Sequence, residues 1–197
     1  MKMFRVILCF LIILTLVSCG KNELMDLSGF IHNYNNISET DLKLTDFIVK
    51  IDEDTVYTAV LCEDDCNILL SVCSGSDNKV KSCKIALIKN DGSVPTDQQV
   101  KMLYAEIIDV MSAFCNFTTQ QSQEIAESFE LSKTETLSKI GELTLRKDNY
   151  YFVYYSTQII SQFTVYNAYV EEIESTHKPE SKPYFGEDFI IKDKETP

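Results

Sequence analysis

Two pairs of cysteines are spaced so that they could form disulfide bonds. Cys73 and Cys83 flank a turn-forming segment, and Cys62 and Cys66 bracket an acidic loop. A strand register that pairs Cys73 with Cys83 would bring their side chains together on one face of a sheet. We predict a Cys73–Cys83 disulfide if the chain enters an oxidising compartment, with Cys62–Cys66 as the weaker pair and Cys115 as a buried free thiol. The alternative is that all five thiols stay reduced, because free cysteines are common core residues.

The other residue types give little material for metal binding or catalysis. The only histidines are His32 and His177, and the cysteine spacing is not that of zinc fingers or ribbons. The acidic runs at 52–54 and 63–65 lack the glycine and terminal glutamate of a calcium-binding loop. No glycine-rich phosphate loop is present, and no carboxylate pair stands out among the 30 acidic residues. We therefore predict a protein that is not an enzyme and has no cofactor or metal.

Tyrosines concentrate in one predicted strand near the C-terminus. Side chains alternate along a strand, so Tyr150 and Tyr154 should lie on one face and Tyr151 and Tyr155 on the other. One set must pack on the helices, and the other set would offer rigid, amphipathic area for a partner. We take these four tyrosines as the candidate partner surface. The alternative is that tyrosine simply suits half-buried strands.

The pattern of apolar residues predicts the elements that position these residues. Residues 22–35 and 96–114 have the three- and four-residue spacing of amphipathic helices. Thr96 with Gln99, and Thr118 with Gln121, match the capping box that begins a helix. Strands are predicted at 46–51, 55–61, 67–73, 80–89, 141–146, 150–157 and 162–171.

This order predicts an α+β fold with one helix, four strands, two helices and three strands. Short connections between the strands favour antiparallel pairing, with the helices on one side of the sheet. We therefore expect a two-layer sandwich formed by a single domain at 19–171. The charged segment at 172–197 is predicted to be a loosely ordered tail.

The charge of the chain limits its partners. Its 30 acidic residues outnumber its 18 lysines and arginines, which gives a net charge of -12. Removing Lys2 and Arg5 with an N-terminal signal would take it to -14. Nucleic acid is excluded as a partner because phosphate binding needs clustered positive charge. The same charge disfavours direct adsorption to an anionic membrane surface.

The first 18 residues have the features of a signal peptide. Two positive charges, at Lys2 and Arg5, precede a 12-residue apolar run at 6–17 that is too short to span a membrane. The residues that follow, Leu16-Val17-Ser18-Cys19, resemble the lipobox of bacterial lipoproteins. The resemblance implies that Cys19 receives a diacylglyceryl group and that the chain is cut before it. An ordinary signal peptide, cut nearby with Cys19 left as a thiol, is the alternative.

The lipobox resemblance implies that the protein lies on the extracytoplasmic face of the cell membrane, attached through lipid on Cys19. Two or more acyl chains, such as palmitate, give stable anchoring. The order of elements also resembles that of small uncharacterised lipoproteins of Gram-positive bacteria, a likeness that carries no functional residue. We expect a non-enzymatic binding domain for an envelope protein or glycan. The alternatives are a small-molecule or peptide carrier with a pocket between sheet and helices, and a hydrolase.

Overall fold

The computed structural model describes residues 24–38, 40–62, 67–88 and 94–168. The predicted signal peptide at 1–18, Cys19 and the predicted tail at 172–197 lie outside the described residues, as does Cys66.

Seven strands and four α-helices make up this part of the chain. Helix α1 spans Leu27–Ile37, and a 3-10 turn at Leu44–Asp46 leads into the first strand. The first four strands are β1 Ile48–Ile51, β2 Thr55–Cys62, β3 Asn67–Ser74 and β4 Val80–Ile88. The middle helices are α2 Asp97–Cys115, α3 Thr119–Ser128 and α4 Thr134–Ser138. The chain then forms β5 Gly141–Lys147, β6 Tyr150–Ser156 and β7 Ile160–Asn167.

The two predicted capping boxes are confirmed. Thr96 accepts a hydrogen bond from the Gln99 backbone N–H, and the Thr96 N–H donates to the Gln99 side chain at 2.9 Å. Thr118 and Gln121 make the same pair of bonds at the start of α3. Each box satisfies backbone donors that the first helical turn leaves free. The short helix α4 was not predicted.

All seven strands belong to one antiparallel sheet with the order β1-β2-β3-β4-β7-β6-β5. Neighbours in sequence form two local units, β1 to β4 and β5 to β7, and β4 pairs with β7 to join them. The α+β class with an antiparallel sheet is therefore confirmed. Strands β1 and β5 form the two edges.

One face of the sheet shares a core with the helices. Alternate strand residues such as Leu70, Ile85 and Phe163 are fully or almost fully buried together with helix residues. Phe129, which follows α3, packs edge-on against Phe163 at 5.6 Å between ring centres. Ser161 donates a hydrogen bond to the Leu137 carbonyl and so ties α4 to the same face. These contacts hold the helices against this face of the sheet.

The intervening strand residues lie on the opposite face, which we call the second face. In the central strands these side chains are mostly half-buried, whereas those on the edge strands are exposed. Three second-face residues near the middle of the sheet are buried, namely Ala86, Gln162 and Thr164. The second face therefore has a sheltered centre and an exposed rim.

The pairing of β3 with β4 differs by one residue from the predicted register. Cys73 lies opposite Ser82, and Cys83 lies opposite Val72, with a β-bulge between Cys73 and Ser74. Because a one-residue shift reverses the face of every side chain, Cys73 lies on the second face and Cys83 in the helix-side core. Both thiols are free, so the predicted Cys73–Cys83 disulfide is absent. Cys115 is buried and free, as predicted.

Candidate functional site

A row of polar side chains crosses the centre of the second face. Thr58 pairs with Ser71, Ser71 with Lys84, and Lys84 with Thr164 across four adjoining strands. The Thr58 and Ser71 hydroxyls are 3.2 Å apart and share a hydrogen bond. With strands about 4.8 Å apart, this central row places three hydroxyl groups beside one ammonium group.

Lys84 is the charged member of the central row. Burial lowers the pKa of its ammonium group, because an uncharged amine is easier to remove from water than a charged one. Within the described part of the chain, no carboxylate lies within 4.0 Å of this nitrogen. A partly desolvated cation without a counter-ion can bind an anion more strongly than an exposed lysine can.

Two of the four predicted partner tyrosines lie on the second face. Tyr151 pairs with Tyr166, and Tyr155 pairs with Gln162, and all three tyrosines are half-buried. Arg146 lies over the Tyr151 ring, with its guanidinium carbon 5.0 Å from the ring centre. These rings extend the central row toward the β5 edge.

The other two predicted tyrosines face the helices. Tyr154 is 2% exposed, and its hydroxyl donates to the Thr136 carbonyl at 3.4 Å. The Tyr150 ring packs edge-on against Phe114 and Phe117. Burial is the main reason that the pKa of Tyr150 rises to about 12. Tyr154 is therefore a core residue and the half-buried Tyr150 packs against the core on the helix side, so only Tyr151 and Tyr155 remain candidates for the partner surface on the second face.

A small ionic cluster lies beside the central row. Asp54 accepts a hydrogen bond from Lys81 at 3.0 Å and a weaker one from the Cys73 thiol at 3.8 Å. Burial, followed by the negative charge of Asp54, raises the pKa of Cys73 to about 11. Lys81 is thus neutralised by Asp54, whereas no described acidic residue pairs with Lys84. The Cys73 thiol is a poor nucleophile at neutral pH because little thiolate is present.

Glu106 and Asp109 are the carboxylates that most resemble a catalytic pair, since burial raises the pKa of both. They lie three residues apart on α2, and Glu106 accepts a hydrogen bond of 2.5 Å from the Tyr34 hydroxyl. Tyr34 is fully buried in α1. This contact links the two helices, so a structural role explains the perturbed carboxylate without catalysis.

A depression of about 310 Å³ lies at one end of the sheet, beside the start of α1. Its lining mixes apolar and polar side chains, among them Leu27, Tyr57, Asp26 and Asn78. It differs from the apolar cavity that a carrier of small molecules would need. Among the described residues there is no group of three or more side chains able to hold a metal ion.

Little in the sequence indicated the central row. Ser71 and Lys84 lie on two strands predicted to pair, but the register that pairs Cys73 with Cys83 would have placed Ser71 opposite Ile85 and not opposite Lys84. Thr164 joins the row only because β7 pairs with β4, more than seventy residues later in the chain. The alternation of Ser82, Lys84 and Ala86 with apolar residues was the one local signal that Lys84 leaves the core.

Comparisons of the chain with family models, curated proteins and solved structures gave no match. No helix in the described ranges has both the length and the apolar character required to cross a membrane.

Proposed function

We propose that this chain is a lipid-anchored protein of the extracytoplasmic membrane face and that it acts as a non-enzymatic binding domain of the cell envelope. The lipobox-like residues Leu16 to Cys19 support the anchor. In the proposed arrangement the helices form one layer and the sheet the other, a two-layer sandwich. The second face would then be the binding surface.

The observation that carries this proposal is the composition of the second face. It combines half-buried tyrosines with Lys84, which has no counter-ion among the described residues. All of these residues lie on paired strands that fix their positions. Aromatic rings in the middle of a surface are typical of recognition sites, and a charge without a counter-ion there would favour a ligand of opposite charge. Lipid attachment would raise the local concentration of the domain, so contacts of modest affinity would suffice.

The anchor is tested by replacing the lipidated residue. Cys19→Ala should prevent lipid labelling and move the protein out of the membrane fraction or leave the precursor uncut. Lipid labelling of Cys19→Ala at the level of the unchanged chain would contradict the anchor.

The binding surface is tested with tyrosine variants and isolated cell envelopes. Tyr151→Ala and Tyr155→Ala should each reduce the amount of protein bound in a sedimentation assay. Tyr104→Ala is the matched control, because Tyr104 is also half-buried but lies on α2. Equal binding by all three variants would contradict the assignment of the second face as the binding surface.

A further inference from the structure

We infer that the second face binds an acidic polysaccharide, and that Lys84 pairs with a carboxylate of this ligand. The inference rests on the proposed binding role of the second face and adds the chemical class of what it binds.

The first argument is the charge at the centre. Holding an ammonium group partly away from water costs free energy unless an anion compensates it. Lys81, nearby in the same strand, has Asp54 as its partner at 3.0 Å. Lys84 has no such partner among the described residues. A ligand carboxylate would supply the missing charge.

The second argument is the distribution of charge over the molecule. The strand residues on the second face include three cations, Lys50, Lys84 and Arg146, and one acid, Glu142. The chain as a whole carries a net charge of -12. An anionic ligand is therefore repelled by most of the surface and attracted to this face, which gives it a preferred place to bind.

The third argument is the kind of neighbours that Lys84 has. Ser71 and Thr164 flank it on either side, and Thr58 extends the row. Thr164 is buried, so the half-buried Ser71 and Thr58 are the residues whose hydroxyl groups a ligand would reach. A hydroxyl group can donate and accept hydrogen bonds, as the hydroxyl groups of a sugar can. Tyr151, Tyr155 and Tyr166 on the adjoining strands add flat amphipathic rings, which suit the apolar faces of sugar rings. Carboxylate, hydroxyl and ring face occur together in a uronic-acid polymer.

The same features argue against a protein partner. The cores of protein interfaces are depleted in lysine and serine, yet these residues occupy the centre of the second face. Burying an uncompensated lysine under an apolar protein surface would be costly. An extended peptide would instead use the backbone groups at a sheet edge, which the second face does not provide.

The experiment measures binding of the full chain, in a non-ionic detergent, to three polymers by titration calorimetry. The probes are polygalacturonate, neutral dextran and poly-glutamate, which separate an acidic sugar from a neutral sugar and from an acidic peptide. Lys84→Met removes the charge and keeps the chain length. Lys101→Met, at an exposed position on α2, makes the same change in net charge away from the second face. Thermal unfolding of both variants confirms that they fold.

We expect polygalacturonate to bind and dextran to bind at least tenfold more weakly. Lys84→Met should weaken polygalacturonate binding at least tenfold, and Lys101→Met less than twofold. Added salt should weaken it as well.

The inference would be overturned by equal affinity for poly-glutamate, by unchanged affinity in Lys84→Met, or by self-association of the chain that Tyr151→Ala abolishes. If polygalacturonate fails to bind while envelope binding still depends on Tyr151 and Tyr155, the inference fails and the proposed function stands. If envelope binding is insensitive to both tyrosines, the proposed function fails with it.

Discussion

The hydrogen bond between Tyr34 and Glu106 allows a quantitative prediction about stability. Tyr34→Phe removes one hydroxyl and leaves the ring, so its stacking on Phe30 at 5.9 Å is retained and no large cavity forms. The Tyr34 hydroxyl donates to the Glu106 carboxylate. A hydrogen bond to a charged group contributes about 1.5–3 kcal/mol. We expect a loss of about 2 kcal/mol at neutral pH, or about 4–8 °C in Tm for a domain of this size.

The size of this loss should depend on pH. Burial raises the pKa of Glu106, although the hydrogen bond from Tyr34 lowers it. The folded state therefore holds the proton more tightly than the unfolded state, and the contribution of Glu106 to stability falls as pH rises from about 4.3 through the folded pKa. Tyr34→Phe removes the hydroxyl group that favours the charged form of Glu106. Its cost should thus be largest at neutral pH and fall to about 1 kcal/mol near pH 4, where the partner is an uncharged acid.

Urea denaturation at the two pH values measures this difference. Glu106→Gln is the control background, because glutamine can still accept the bond but carries no charge. In that background the cost of Tyr34→Phe should be the same at both pH values. A cost below about 0.5 kcal/mol at neutral pH, or one independent of pH in the unchanged background, would refute the reasoning.

Two further predictions concern the thiols and a helix cap. In the folded protein Cys73 should react with iodoacetamide before Cys83 and Cys115. Its reaction rate should rise about tenfold per pH unit up to about pH 11, the value to which its pKa is raised. A linked Cys73–Cys83 peptide in non-reducing mass mapping would contradict this prediction. Thr96→Ala should lower the free energy of unfolding by about 1 kcal/mol through loss of the capping box. Gln98→Ala changes an exposed side chain in the same first turn that takes no part in the capping box, and it should alter the free energy of unfolding by less than about 0.5 kcal/mol in the same urea titration.

Features set by near neighbours in the chain could be predicted from sequence. The capping box of Thr96 and Gln99 involves residues three apart, and the stripe of Leu103, Ile107 and Met111 needs only the helical repeat. The structure has both. The α+β class follows from such local patterns in turn.

Features that depend on distant pairing could not be predicted. The bulge between Cys73 and Ser74 shifts the register by one residue, and that shift separates the two cysteines that the spacing had paired. The division of tyrosines between the two faces was predicted, but which pair faces the helices was decided by contacts of Tyr154 with Thr136 and of Tyr150 with Phe114. The central row needs β4 beside β7, and no local pattern specifies that neighbour.

The β4–β7 pairing also has a consequence for how the chain folds. Strands β1 to β4 form successive hairpins, so they can assemble as soon as they leave the ribosome. The partner of β4 begins only at Ile160, after all three middle helices. Until then the backbone of β4 is an unpaired edge that carries Ile85 and Leu87. Closing the long loop between β4 and β7 is slow. During that time the partly formed sheet can pair incorrectly with another nascent chain. The rate of this one closure, more than the stability of the finished domain, should govern the yield of folded protein.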